Sequence, residues 1–375
     1  MTKILFDSQC FDMQRIGGVS RSFAEIISRL PMFGMESVVA VKGTDNVYLK
    51  PLLQREQTGL ECLSRLTFRL KHASWWRLHS WRTINQAYSQ RLLERGGFDL
   101  LHATFFNPYF LPLLNGKPFV LTIHDMIPET YPQLFPDHVG ECRDKRLLAQ
   151  KASAIVAVSE YTKERVVELL GVDEQKVTVV YHGSEPVLPN YDFGNNDLGD
   201  YLLYVGDRRD YKNFQPFVEA ALPVLRLHPS LRIVCTGMKF TAQETLFFRR
   251  LGVEDRLLHA FAASDGILSC LYHHALAFVY PSMAEGFGIP ILEAWRAGCP
   301  VLLNRASCFP EIASDAAVWF SMQDGNLTQK LEEMVTLGGT ARRLLVQKGY
   351  ERLTLYSWEK SAAELSGLYK RILEK

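Results

Sequence analysis

The stretch Tyr280-Pro-Ser-Met-Ala-Glu285-Gly-Phe-Gly-Ile-Pro-Ile-Leu-Glu293-Ala-Trp-Arg-Ala-Gly298-Cys-Pro-Val301 decides how this chain is to be read. The preceding Ala277-Phe-Val-Tyr280 is apolar and aromatic enough for a buried strand, and residues 289–297 carry helical spacing with Gly298 as the stop. The segment therefore reads strand, loop, helix. At such a turn the first N–H groups of the helix have no intrahelical partner and carry partial positive charge. Gly286 and Gly288 let a ligand come close to the main chain. An anionic ligand is expected there.

Two carboxylates flank the turn. Glu285 lies in the loop and Glu293 more than one helical turn later, so one can face a bound pyranose while the other accepts from ribose hydroxyls. Working outward, short β-rich runs at 4–6, 37–41, 119–123, 154–158, 177–181, 201–205, 231–236, 277–280 and 301–303 alternate with helical patterns. That alternation predicts α/β architecture, parallel sheets covered by helices on both faces. Residues 185–200, rich in Pro, Gly and Asn, read as a linker between two open α/β domains. A length of 375 residues with 47% apolar content suits two cores.

Lys plus Arg number 42 against 41 Asp plus Glu, so no global basic field points to nucleic acid. Seven scattered cysteines without Cys-x-x-Cys pairs fit reduced thiols, which favours the cytosol. The start enters a strand with no apolar signal region, and no apolar run approaches the roughly 20 residues of a membrane helix.

Ligands of open α/β sheets bind at the carboxyl ends of the strands, so the loops there are the places to look. After the first strand, Gly17-Gly18 precedes a helix expected to be capped by Ser20; the pair is either a plain turn or a wrap for a phosphate or acceptor group. His124 follows the strand 119–123 directly, with Asp125 beside it to orient or cap. Gly206 leads into Asp207-Arg208-Arg209-Asp210-Tyr211-Lys212-Asn213, an exposed charged loop or a cationic anchor. No Asp-x-Asp motif occurs, so cationic side chains rather than a metal are expected to neutralise an anionic ligand.

The 285–293 segment closely resembles the Glu-Gly-Phe-Gly-x-Pro-x-x-Glu signature of the family 4 glycosyltransferases, retaining enzymes of the GT-B fold. The likeness extends over essentially the whole chain: the glycine loop, His124, the Val158-Ser159-Glu160 strand end, the 206–213 loop, the Pro310-Glu311 turn and the tail Tyr356-Ser-Trp-Glu-Lys360. It implies two doubly wound Rossmann-like domains facing a central cleft that is the active site. An acceptor-side domain spans 1–190, completed by a C-terminal helix over 357–375 crossing back onto it, and a nucleotide-sugar domain spans 198–356. The resemblance implies that Gly17 and Gly18 touch the donor diphosphate and the acceptor, that His124 lies against the donor sugar, and that an arginine with Lys212 clamps the diphosphate. The family places its arginine directly after the glycine, where this chain has Asp207, so Arg208 and Arg209 both stay open, with Arg208 favoured. Glu285, Gly206, Gly286, Phe287, Gly288 and Glu293 complete the expected site; no metal and no cofactor beyond the donor are implied.

From 64 to 96, cationic and aromatic residues interleave at roughly helical intervals, among them Arg69, Lys71, Trp75, Trp76, Arg77 and Arg82. This is either a solvated helix burying its tryptophans or a surface for an acceptor or an anionic membrane, which would make the protein peripheral on the inner face of the cell membrane. The resemblance implies a hexose, mannose from GDP-mannose first, moved to a saccharide or lipid-linked saccharide in surface-polysaccharide synthesis; UDP- and dTDP-linked donors remain open. A sugar-nucleotide-binding protein without catalysis would show loss of the clamp or the glutamates, and neither is lost. An oxidoreductase would need Gly-x-Gly-x-x-Gly after the first strand, which is absent.

Overall fold

The computed structural model describes residues 1–55, 81–185, 198–262 and 264–374. The chain divides into two compact units, Met1–Gly183 with Trp358–Lys375, and Ser184–Ser357. Among the described residues no helix is long and apolar enough to cross a membrane.

The first unit holds β1 (Thr2–Phe6), β2 (Met35–Val39), β3 (Leu100–Ala103), β4 (Phe119–Ile123), β5 (Ala154–Ala157) and β6 (Val177–Val179). They form one parallel sheet in the order β2-β1-β3-β4-β5-β6. Successive side chains leave a strand on opposite faces. Thus Leu5, Leu101, Leu121 and Ile155 feed one apolar core, and Ile4, Phe6, Leu100, Val120 and Val156 the other. The helix Trp358–Leu373 adds Leu365, Leu368 and Tyr369 to the second core, so the C-terminal end of the chain is built into the first unit.

The second unit repeats the plan with β7 (Tyr201–Tyr204), β8 (Arg232–Cys235), β9 (Leu257–His259), β10 (Ala277–Tyr280), β11 (Val301–Asn304) and β12 (Val318–Phe320), all parallel in the order β12-β11-β10-β7-β8-β9. In each sheet the winding reverses once. The reversal falls between β1 and β3 in the first unit and between β7 and β10 in the second, because connections leave those neighbours in opposite directions. The loops at such a switch point part and leave a crevice, which is where open α/β sheets bind ligands.

Three strands escaped the sequence reading: β3, β9 and β12. Two of them contain a histidine, which breaks the apolar run. In β3 the ring of His102 is buried between the Tyr369 hydroxyl on Nδ1 and the Thr122 hydroxyl on Nε2, so partners supplied by distant residues make it a core residue. The expected Ser20 cap is also corrected. The helix starts at Gly18 and Ser20 lies inside it, its hydroxyl donating to the Gly17 carbonyl, while the Ser20 N–H donates to Gln14 Oε1. Gln14 therefore satisfies this helix end from outside. A Cβ on Gly17 would meet that amide at 2.3 Å, so the glycine makes room for it.

Candidate active site

In the second unit the loops after β7 and β10 meet at the switch point and are tied by two hydrogen bonds. The Met283 N–H donates to the Tyr211 carbonyl at 2.8 Å, and Asn213 Nδ2 donates to the Pro281 carbonyl at 2.9 Å. Asn213 holds φ near +53°, a left-handed turn that asparagine tolerates better than most residues. This stitching aims Lys212 Nζ at Glu285 Oε1, 2.6 Å away, with only 15% and 12% of the two side chains exposed. Burial pulls the Lys212 ammonium down, but Glu285, Tyr211 and Asp207 together hold it above its ordinary value, so it is charged.

The carboxylate is positioned as closely as the amine. Its backbone N–H donates to the Ser307 hydroxyl at 3.1 Å, and Ser307 itself sits at φ near +50°. The buried Tyr280 hydroxyl lies beside the same carboxylate, and burial, then Glu285, push its ionisation upward. Gly288 has φ near +97° and a Cβ there would crowd Ile291 and Phe309, so the turn into the helix Ile289–Arg296 needs glycine. On that helix Glu293 accepts from the Tyr272 hydroxyl at 3.3 Å. Ser282, in the same loop, keeps a buried hydroxyl with no hydrogen-bond partner. Phe287 points inward, buried and edge-to-face on Tyr356.

The two arginines separate. The guanidinium of Arg208 is 5% exposed, paired with Glu244, donating to the Met238 and Lys239 carbonyls and sandwiched near the rings of Phe214 and Phe240. Glu244 in turn closes a capping box with Thr241, so Arg208 ties the β7 loop to the helix Ala242–Leu251. Arg209 is 58% exposed and meets Asp207. Gly206 at φ near +118° and Gly237 at +91° stand back to back at the ends of β7 and β8; a Cβ on Gly237 would lie 2.6 Å from the Gly206 carbonyl oxygen.

In the first unit His124 follows β4, stacked on His182 and edge-on to Phe23, with a buried Nε2 that has no hydrogen-bond partner. Burial lowers its pKa to about 4, with Asp125 opposing and Lys145 assisting. It is a neutral imidazole, with one ring nitrogen able to donate and the other able to accept. Among the described residues, no group of three or more His, Cys, Asp or Glu side chains is placed to hold a metal ion.

Two family models match this chain consecutively, Glycosyltransferase Family 4 over residues 16–186 and Glycosyl transferases group 1 over 192–352. The chain belongs to glycosyltransferase family 4. It is 26% identical over 259 residues to the O-antigen chain mannosyltransferase RfbU of Salmonella typhimurium, covering 69% of each chain. It is also 26% identical over 274 residues to O-antigen chain mannosyltransferase B of Escherichia coli, covering 67% of this chain and 70% of that one. The solved complex of Anabaena HepE with UDP and glucose matches 99% of both chains at 15% identity with a TM-score of 0.66, a likeness of fold. Two parallel six-stranded sheets with this likeness are the GT-B architecture.

Within this glycosyltransferase, the sequence-selected residues thus fall into groups. Gly206, Lys212, Glu285, Gly286, Gly288 and Glu293 lie around the second switch point. Arg208 lies behind it in a buried network, and Gly17, Gly18 and His124 lie at strand ends of the first unit. Arg69, Lys71, Trp75, Trp76 and Arg77 lie outside the described residues, whereas Arg82 stands in the first turn of the helix Trp81–Arg95. Tyr272, Tyr280 and Ser307 were not found from sequence, since a lone hydroxyl shows its role only through the partner the fold brings to it.

Proposed function

We propose that this glycosyltransferase moves a hexose, mannose from GDP-mannose in preference, onto a saccharide or lipid-linked saccharide acceptor during surface-polysaccharide synthesis, with retention of configuration and without a metal. The observation that carries the reading is the Lys212–Glu285 pair, a charged ammonium and a carboxylate held 2.6 Å apart at the switch point of the second unit. An anionic leaving group can take over the ammonium, freeing the carboxylate to accept sugar hydroxyls. The mannosyltransferase relatives support mannose as the sugar.

In this reading the nucleoside diphosphate departs on the face from which the acceptor hydroxyl attacks. Its phosphate oxygen takes the acceptor proton while Lys212 and the N–H groups at the start of the 289–296 helix stabilise its charge. His124, neutral and with Nε2 unpartnered, is assigned a hydrogen bond to a substrate hydroxyl. Arg208 holds the loop that carries Lys212, and Arg209 is the exposed cation beside it. The fold likeness to a UDP-binding protein keeps UDP-linked sugars as the second donor class.

The test is slow release of free sugar from GDP-mannose, UDP-glucose, UDP-galactose and a dTDP-linked deoxysugar, each with and without excess EDTA. Hydrolysis of GDP-mannose, unchanged by the chelator, is expected. Turnover of none of the donors would sink the transferase reading, and loss in EDTA restored by magnesium or manganese would sink the metal-free mechanism.

A further inference from the structure

The tail Tyr356-Ser-Trp-Glu-Lys360 is a motif without a role in the chemistry, and His182 is a histidine that no motif marks. The fold brings both to His124. His182 lies just beyond β6, where the Val180 N–H donates to the Ala157 carbonyl at 2.9 Å and the Ser361 hydroxyl, on the helix Trp358–Leu373, donates to the Tyr181 carbonyl at 2.6 Å. The backbone that carries His182 is thus fastened to β5 and to that helix. The His182 ring is buried and stacked on His124, with centroids 5.4 Å and planes 22° apart. It also leans on the indole of Trp358 at 5.9 Å and 50°.

A histidine ring does not set its own plane. The torsion that turns an imidazole about its Cβ–Cγ bond has a broad, roughly two-fold profile, so what packs against the ring decides where its two nitrogens point. At His124 rings do so on two sides. His182 lies along its face, and Phe23, from the helix Gly18–Arg29, meets it edge-on at 5.8 Å and 71°. Trp358 sets His182 in turn. It is 1% exposed at the start of a helix whose Leu365, Leu368 and Tyr369 are core, and its Nε1 is buried with no hydrogen-bond partner, so the side chain contributes its face and its bulk.

Burial is also what keeps His124 neutral. The titratable groups around it are Asp125 next in the chain, Lys145 with its partner Glu129, His182, and His102 across Phe23. Asp125 favours the imidazolium and Lys145 opposes it, while burial outweighs both. His102 and His182 are held neutral by burial first and by His124 second, so neither adds a charge. Loss of the His182 ring would open a gap walled by the His124 imidazole and the Trp358 indole. A gap with polar groups on its wall takes up water.

We propose that His182, backed by Trp358, is a positioning residue that fixes the plane of the His124 imidazole and shields it from water, so that the ring meets its substrate hydroxyl neutral and in one orientation. The proposal rests on the transferase reading above, which assigns that hydroxyl to His124.

The test takes two readings on the full chain for the unsubstituted protein, His182→Ala and His182→Phe: titration of the His124 ring by NMR of isotope-labelled histidine, and release of free sugar from the four nucleotide sugars. His124 titrates near 4 in the unsubstituted protein. In His182→Ala its midpoint rises by about one unit or more as water enters. The kcat of donor hydrolysis falls about tenfold with KM within about threefold, because the diphosphate stays with Lys212 while the imidazole loses its alignment. The acid limb of the rate profile moves up with the midpoint, since protonation removes the neutral form at higher pH. His182→Phe, which restores a ring face, brings back both readings. His182→Asn replaces His182→Ala if thermal melting shows that variant misfolded. An unmoved His124 titration, a kcat within about twofold, or a His182→Phe as slow as His182→Ala overturns the role. Hydrolysis by the unsubstituted enzyme with an unmoved titration removes the positioning role alone, whereas a moved titration with no hydrolysis by any form removes the transferase reading.

Discussion

Replacing Lys212 by methionine separates what its charge does for the fold from what it does for the reaction. Across 2.6 Å the gross attraction to Glu285 is about 6 kcal/mol at an effective dielectric of roughly 20. Desolvation of two nearly buried ions takes back most of it, so the net worth of the pair is small. Breaking it is another matter, because Lys212→Met strands the Glu285 carboxylate and costs roughly 3 kcal/mol, a fall of about 10 °C in melting temperature for a unit of this size. Adding Glu285→Gln removes the stranded charge and should restore stability to within about 1 kcal/mol of the original. Turnover should not follow. Loss of a cation at the leaving group costs on the order of 10² to 10³ in kcat of donor hydrolysis, and the doubly substituted enzyme should be no faster than Lys212→Met. Near-normal hydrolysis by well-folded Lys212→Met, or recovery of turnover together with stability in the double variant, would refute the assignment of Lys212 to the diphosphate.

Arg208→Ala leaves Glu244 unpaired beside the capping box and should lower the melting temperature by several degrees, whereas Arg209→Ala should leave it within about 1 °C; donor hydrolysis measured on both decides which arginine the reaction uses. Acid should destabilise the first unit. Burial lowers His102 to about 3 and His124 to about 4, and His182 is depressed in the same way. The unfolded chain takes up protons below about 6.5 and the fold does not, so the stability present above that pH is lost as pH falls, about 2 kcal/mol each for His102 and His124 by pH 5. The raised carboxyls of Asp7 and Asp12 act in the opposite sense, so the diagnostic is a shallower pH slope in His102→Gln than in the unsubstituted protein, and parallel slopes would remove histidine from the account. If the cationic, aromatic stretch from 64 to 96 meets an anionic membrane, cosedimentation should require anionic lipid and weaken with salt, at about 1 kcal/mol per Lys or Arg engaged; absence of binding to anionic vesicles at low salt would end that role.

Much of the architecture is local information. The apolar four-residue runs at 201–204 and 277–280, the glycines of the 285–288 turn and the stop at Gly298 each follow from the stiffness, volume or missing side chain of the residues themselves, and they read correctly one segment at a time. The family, too, was legible, because its signature lies within a few residues on one turn. β3 was not legible on its own: it needed Tyr369 and Thr122, distant in the chain, before its histidine could count as core.

What sequence left undecided was every choice that depends on which strand lies beside which. Arg208 and Arg209 are adjacent and chemically identical, yet Glu244, thirty-six residues onward, buries one and leaves the other in water. Lys212 and Glu285 stand seventy-three residues apart and meet because β7 and β10 are neighbours whose connections run in opposite directions. Asp12 and Phe105 come to one cavity for the same reason at the other switch point. Spacing and propensity act over a few residues, whereas strand order is settled by the burial of two sheet faces at once. The residue types needed for the chemistry were therefore written in the chain, and their partners were assigned by the closing of the sheets.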